Sequence, residues 1–174
     1  MDLRQISALL SSSPAAFPNC CLALSTPLLA RLASLLPTTP QFTLSIGSGA
    51  GLLEALLAYL YPSVPIEGVE VNSSVNLYVE EQDMNVVGGT WDLLPRASDA
   101  TAWMFVYPRE PKLVTKYIKT YGLGIKMVLW LGPRADWADY EACFRDSAYS
   151  HLSFEEDVGL AEYEMLVIAR KCCP

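Results

Sequence analysis

Charge is scarce in this sequence, and scarcest at its start. Charged residues make up 18% of the 174, and the first 60 positions hold only Asp2, Arg4, Arg31 and Glu54. A stretch so poor in charge must be mostly buried or face something apolar. Long hydrophobic runs are lacking too: Pro37, Pro40, Pro62 and Pro65 break the most apolar stretches, so none reaches the roughly 18 residues of a transmembrane helix. The five cysteines fall as Cys20-Cys21, Cys143 and Cys172-Cys173, with no C-x-x-C pair. Neither a disulfide framework nor a zinc site is expected, and no metal ligands are assigned. A reducing, cytoplasmic compartment fits that usage. Histidine occurs once, and His151 stands at the start of a late strand, a poor place for catalysis even though its ordinary pKa is near neutrality. Basic residues are outnumbered 12 to 19, for a net charge of −7 and a pI near 4.6. That balance disfavours a nucleic-acid partner, whose phosphates call for the opposite sign. Asp2, together with Ser11 to Ser13 and the prolines at 14 and 18, spoils a signal peptide. The ending Lys171-Cys172-Cys173-Pro174 is not a prenylation box.

What the chain has in quantity is apolar side chains, 52% of the total. That excludes disorder, and at this length it implies a single domain. From Gln41 onward, short β-type runs alternate with amphipathic helical segments, the mark of an α/β fold with a largely parallel sheet. The pattern predicts strands at 41–46, 66–71, 85–87, 102–107, 126–131, 151–157 and 163–170. Helices are predicted at 50–61, 72–82 and 111–122, with another capped by Asp136 and two N-terminal ones at 2–11 and 27–36. Only residues 158–162 separate the last two strands, too few for a crossover helix, so the last strand must run antiparallel. The expected architecture is one domain, 1–174: an N-terminal helical segment, 1–40, then a doubly wound, mostly parallel seven-stranded sheet with an antiparallel last strand.

The most specific motif is Leu44-Ser45-Ile46-Gly47-Ser48-Gly49-Ala50-Gly51-Leu52-Leu53-Glu54, a strand running through a glycine turn into a helix. Glycines there let the chain turn sharply and let a ligand approach backbone N–H groups at a helix start. In the dinucleotide pattern G-x-G-x-x-G the third glycine would fall on Leu52, which disfavours a nicotinamide-dependent oxidoreductase. Glu70 ends the second strand, where an acid can accept both ribose hydroxyls of a nucleoside.

With G-x-G-x-G after an apolar strand and Glu70 at this distance, the chain resembles the class I S-adenosylmethionine (SAM) dependent methyltransferases, over roughly 41–170. The resemblance implies SAM as cofactor, held by Gly47, Ser48, Gly49, Gly51 and Glu70. It also sets Thr90, Trp91 and Asp92 beside the adenine, within the third-motif segment Val86 to Pro95. Ala102 to Pro108 resembles the strand whose end faces the transferred methyl group. Tyr107 is therefore the catalytic candidate, and Tyr107, Pro108 and Arg134 are the substrate candidates. Ser45 stands where many relatives carry an acid near the methionine end of the cofactor, and the Asp/Asn-Pro-Pro-Tyr signature of N-methyltransferases is absent. The function expected is methyl transfer to a small molecule or a protein. The alternative is a catalytically silent protein of the same fold that binds a ligand or partner. The chain is expected to act alone or as a homodimer. Lys112, Lys116 and Lys119 share one helix face, which reads as solvated. No connection is long enough for a large lid, so the pocket must be open, closed by residues 1–40 or completed by a partner, and residues 1–40 are the main candidate for selecting the substrate.

Overall fold

Apolar strands alternating with amphipathic helices can bury both faces of a sheet only by placing helices on each side. The computed structural model of the chain shows that arrangement. It describes residues 1–172; the tail cysteine Cys173 and Pro174, named above as part of the last four residues, lie outside the described residues. Seven strands form one sheet in the order β3-β2-β1-β4-β5-β7-β6. They are β1 (Thr43–Ile46), β2 (Ile66–Glu70), β3 (Met84–Val86), β4 (Ala102–Val106), β5 (Met127–Pro133), β6 (His151–Glu155) and β7 (Glu164–Arg170). The first five pair in parallel, while β7 runs antiparallel to both β5 and β6, as its short connection demands.

Alternate strand residues feed two cores. On one face Ala102, Met104, Leu129 and Ile168 meet α1 (Leu3–Leu9), α2 (Thr26–Leu35) and α3 (Leu52–Leu60). On the other, Trp103, Phe105, Val128 and Trp130 meet α4 (Pro111–Tyr121) and α5 (Trp137–Arg145). The charge-poor start is thus accounted for: Ile6, Phe17, Leu22, Leu24, Leu28, Leu29 and Leu32 are all buried in the first core. The N-terminal 40 residues are only partly helical, however. Between α1 and α2 the chain forms an irregular strap closed by paired backbone bonds between Ala15 and Leu24. Among the described residues no helix is long and apolar enough to cross a membrane.

Two expectations are corrected. Residues 72–82 form no α-helix, only single 3₁₀ turns at Ser73–Val75 and Glu81–Asp83. Asn72 caps one turn, but the next amides are taken by other partners: Leu77 and Tyr78 N–H donate to the Ala50 carbonyl, and Asn76 bonds both backbone groups of Val79. Tertiary acceptors have outcompeted a weak helical register. The second correction is at α5. Asp136 precedes that helix but its carboxylate caps nothing, because the chain enters through a 3₁₀ turn at Arg134–Asp136 and Asp136 is already in helical conformation.

Candidate functional site

Open α/β sheets bind ligands at the carboxyl ends of their strands, next to the point where strand order reverses. Here that point lies between β1 and β4, and a cavity of about 490 Å³ opens beside it. The glycine turn forms its floor. Gly47, Gly49 and Gly51 all have φ between +59° and +78°, a region closed to most side chains. Gly51 is also required sterically, since a Cβ there would lie 2.4 Å from Val79 Cγ2. The segment that fails to form a helix after β2 therefore braces the turn from behind.

Glu70 closes the other side of the turn. Its carboxylate accepts from Gly49 N–H at 2.6 Å and from Val71 N–H at 3.2 Å. Thr90 and Asp92 also line the cavity, so six of the eight residues assigned to the cofactor by resemblance share its wall: Gly47, Ser48, Gly49, Glu70, Thr90 and Asp92. Gly51 stands just behind as the N-cap of α3, and Trp91 is not a lining residue: 46% of it is exposed, and its carbonyl accepts from Lys116 Nζ. The face read as solvated lysines thus spends one lysine on that loop.

Tyr107 and Pro108 follow β4 into the cavity. Tyr107 has φ +48°, an uncommon conformation for a bulky residue and one that turns its ring back toward the sheet end. Its hydroxyl donates to Glu164 at 2.6 Å. Burial first, and that carboxylate second, hold the phenol above its ordinary range, so it stays protonated and orients rather than abstracts. Arg134 does not reach the cavity. Its Nε donates to the Glu162 carbonyl at 2.8 Å and its guanidinium pairs with Glu156, which anchors the β6–β7 connection.

Sequence reasoning missed three contributors. The tip of the strap, Asn19, Cys20 and Cys21, forms part of the cavity wall. Burial, then the neighbouring Glu54 charge, pushes the Cys20 thiol up to about 12, which leaves it unreactive at neutral pH. Glu164, wholly buried at the start of β7, accepts from Tyr107, from Ala23 N–H at 3.2 Å and from Ala161 N–H at 3.3 Å. Glu54, in the first turn of α3, is 3% exposed yet lines the cavity, with Ser45 Oγ donating to it at 2.5 Å. A lone acid in an apolar helix was the signal for it.

Burial raises the Glu54 carboxyl from 4.5 to about 7, partly offset by the Ser45 hydrogen bond. With the folded pKa above the unfolded one, the stability linked to this proton is full below about 4.5 and is lost as pH rises through about 7. Relative to Glu54→Gln, the wild type is expected to lose about 2 kcal/mol of stability between about pH 5 and about pH 7.5 in urea melts. Parallel pH curves for the two proteins would remove the buried-acid assignment.

No protein-family model matches the sequence, and no curated protein does. Solved structures do match in fold. The methyltransferase domain of bacterial CtHen1 superposes with a TM-score of 0.61 at 14% identity, over 83% of this chain and 97% of that one. A precorrin-6y C5,15-methyltransferase from Geobacter metallireducens gives 0.61 at 12% identity, over 91% and 93%. Human N-acetylserotonin methyltransferase, solved with SAM, gives 0.56 at 16% identity, over 83% of this chain and 50% of that one. The fold is that of these methyltransferases, with the mostly parallel seven-stranded sheet and antiparallel β7 read from the sequence.

Proposed function

We propose that this chain binds SAM in the cavity beside β1 and β4 and transfers its methyl group to a small molecule or a protein. The observation that carries the reading is the glycine turn, with Glu70 held 2.6 Å from Gly49 N–H at the ends of two adjacent strands. A carboxylate there suits two ribose hydroxyls, and the open left-handed turn lets a nucleoside lie against the backbone. Gly47, Ser48, Gly49 and Gly51 would cradle the ligand, and Thr90 and Asp92 would meet the base.

Bound SAM supplies a methyl group already activated by a sulfonium, so the protein's task is to hold an acceptor in line with it. Tyr107 and Pro108, with the strap tip at Asn19 to Cys21, form the wall that would do so. The locked Tyr107 phenol shapes that wall without removing a proton.

Calorimetric titration with SAM and its demethylated product, S-adenosylhomocysteine, tests the reading, followed by methyl transfer from labelled SAM to fractionated extracts. Micromolar binding of both and labelling of one acceptor are expected. A folded protein that binds neither ends the reading. Binding without turnover on any acceptor assigns the chain instead to a silent ligand-binding role, for which the protonated Tyr107 speaks.

A further inference from the structure

A carboxylate withdrawn from water is costly unless something positive meets it. Glu54 is such a group. It is almost fully buried, and it faces the cavity from the first turn of α3. Among the described residues Ser45 is its one side-chain donor, and no Lys or Arg pairs with it. The other titratable groups on the cavity do not supply a counter-charge close by. They are Cys20 and Cys21 from the strap, Glu70 from β2, Asp92 after β3, Tyr107, Arg109 and Glu110 after β4, and Tyr117 from α4. Among the described residues lining the cavity, Arg109 is the single cation beside four carboxylates, and it forms no ion pair with Glu54. Glu70 and Glu54 repel each other across the cavity floor, and the charge of Glu54 also weighs on the Cys20 thiol.

The N-terminus of α3 favours an anion at this position, but a glutamine would keep the Ser45 bond without the charge. A cationic ligand supplies the missing attraction. We infer that Glu54 is the counter-ion for the positive end of the molecule this cavity takes, a small organic ligand bearing an ammonium or sulfonium group. The carboxylate comes from the helix after the glycine turn, while the strand before it offers only the hydroxyl of Ser45. Such a ligand binds the ionised form of Glu54, so its arrival expels a proton and its affinity rises with pH across neutrality.

This inference rests on the reading of the cavity as a methyl-donor site, and the test separates the two. The probes are SAM, which carries both an ammonium and a sulfonium, and 5′-methylthioadenosine, the same nucleoside with a neutral thioether and no amino acid. Each is titrated calorimetrically into the wild type and into Glu54→Gln. The expected result is at least a tenfold loss of SAM affinity in the variant at about pH 7.5, with methylthioadenosine bound equally by both proteins. That equality also shows that the variant is folded with its nucleoside pocket intact. In the wild type, SAM affinity is expected to rise about tenfold or more between about pH 5.5 and about pH 7.5, and in the variant to stay flat. Equal SAM affinity in the two proteins overturns the inference while leaving the methyl-donor reading in place. So does a loss shared by both ligands, which would make Glu54 a structural group. Failure of the wild type to bind either probe overturns the methyl-donor reading and this inference with it.

Discussion

Replacing Glu70 with alanine lowers affinity for SAM by at least about a hundredfold, the largest loss expected from any single side chain on the cavity. Hydrogen bonds to a charged acceptor are worth about 1.5–3 kcal/mol each, and in the proposed complex the ribose would present two hydroxyls to this carboxylate. Tenfold corresponds to about 1.4 kcal/mol, so two such bonds exceed the hundredfold mark. A second effect adds to the first. Glu70 accepts from Gly49 N–H in the ligand-free chain, and its removal frees a turn whose three glycines have wide conformational freedom. Ordering that turn again on binding costs further affinity. Calorimetry reads the change directly; a Glu70→Ala protein that binds SAM as tightly as the wild type removes Glu70 from the ribose site.

Glu164→Ala destabilises the fold by about 4 kcal/mol in urea denaturation, because three donors lose one buried acceptor. Tyr107 Oη, Ala23 N–H and Ala161 N–H come from the segment just after β4, the strap and the β6–β7 connection. Each orphaned donor costs about 1–3 kcal/mol, reduced where water reaches it, as it does for the partly exposed Tyr107. Glutamine in place of Glu164 keeps one acceptor and is expected to cost about half as much. A loss under about 1 kcal/mol for the alanine variant would show that the three segments hold together without this carboxylate.

The sheet was legible because apolar runs of strand length recur between helical segments, and five residues between the last two leave no room for a crossover. The glycine turn and Glu70 were legible for a similar reason, since their contacts lie close in sequence. Residues 72–82 were not. Their amides bond to Ala50 and to each other, partners that a helical pattern does not reveal. Glu164 was hidden in the same way, its partners being 57 and 141 residues distant at Tyr107 and Ala23. Glu54 was half legible, as an acid in an apolar helix, but only folding sets it beside Ser45. Arg134 was misplaced because a position just past a strand end does not fix which way a long side chain turns.

The strap between α1 and α2 has a consequence for how this protein could be diversified. It is pinned at its base, by the Ala15–Leu24 bonds, by Ala23 N–H on Glu164 and by the Ser25 hydroxyl donating to the Gly159 carbonyl at 2.6 Å. Its tip at Asn19 to Cys21 hangs over the cavity between those anchors, outside the sheet. The glycine turn and the strap tip therefore bring separate stretches of chain to the cavity wall. A library confined to Asn19, Cys20 and Cys21 is expected to vary one part of the cavity wall while the glycine turn and Glu70 stay as they are.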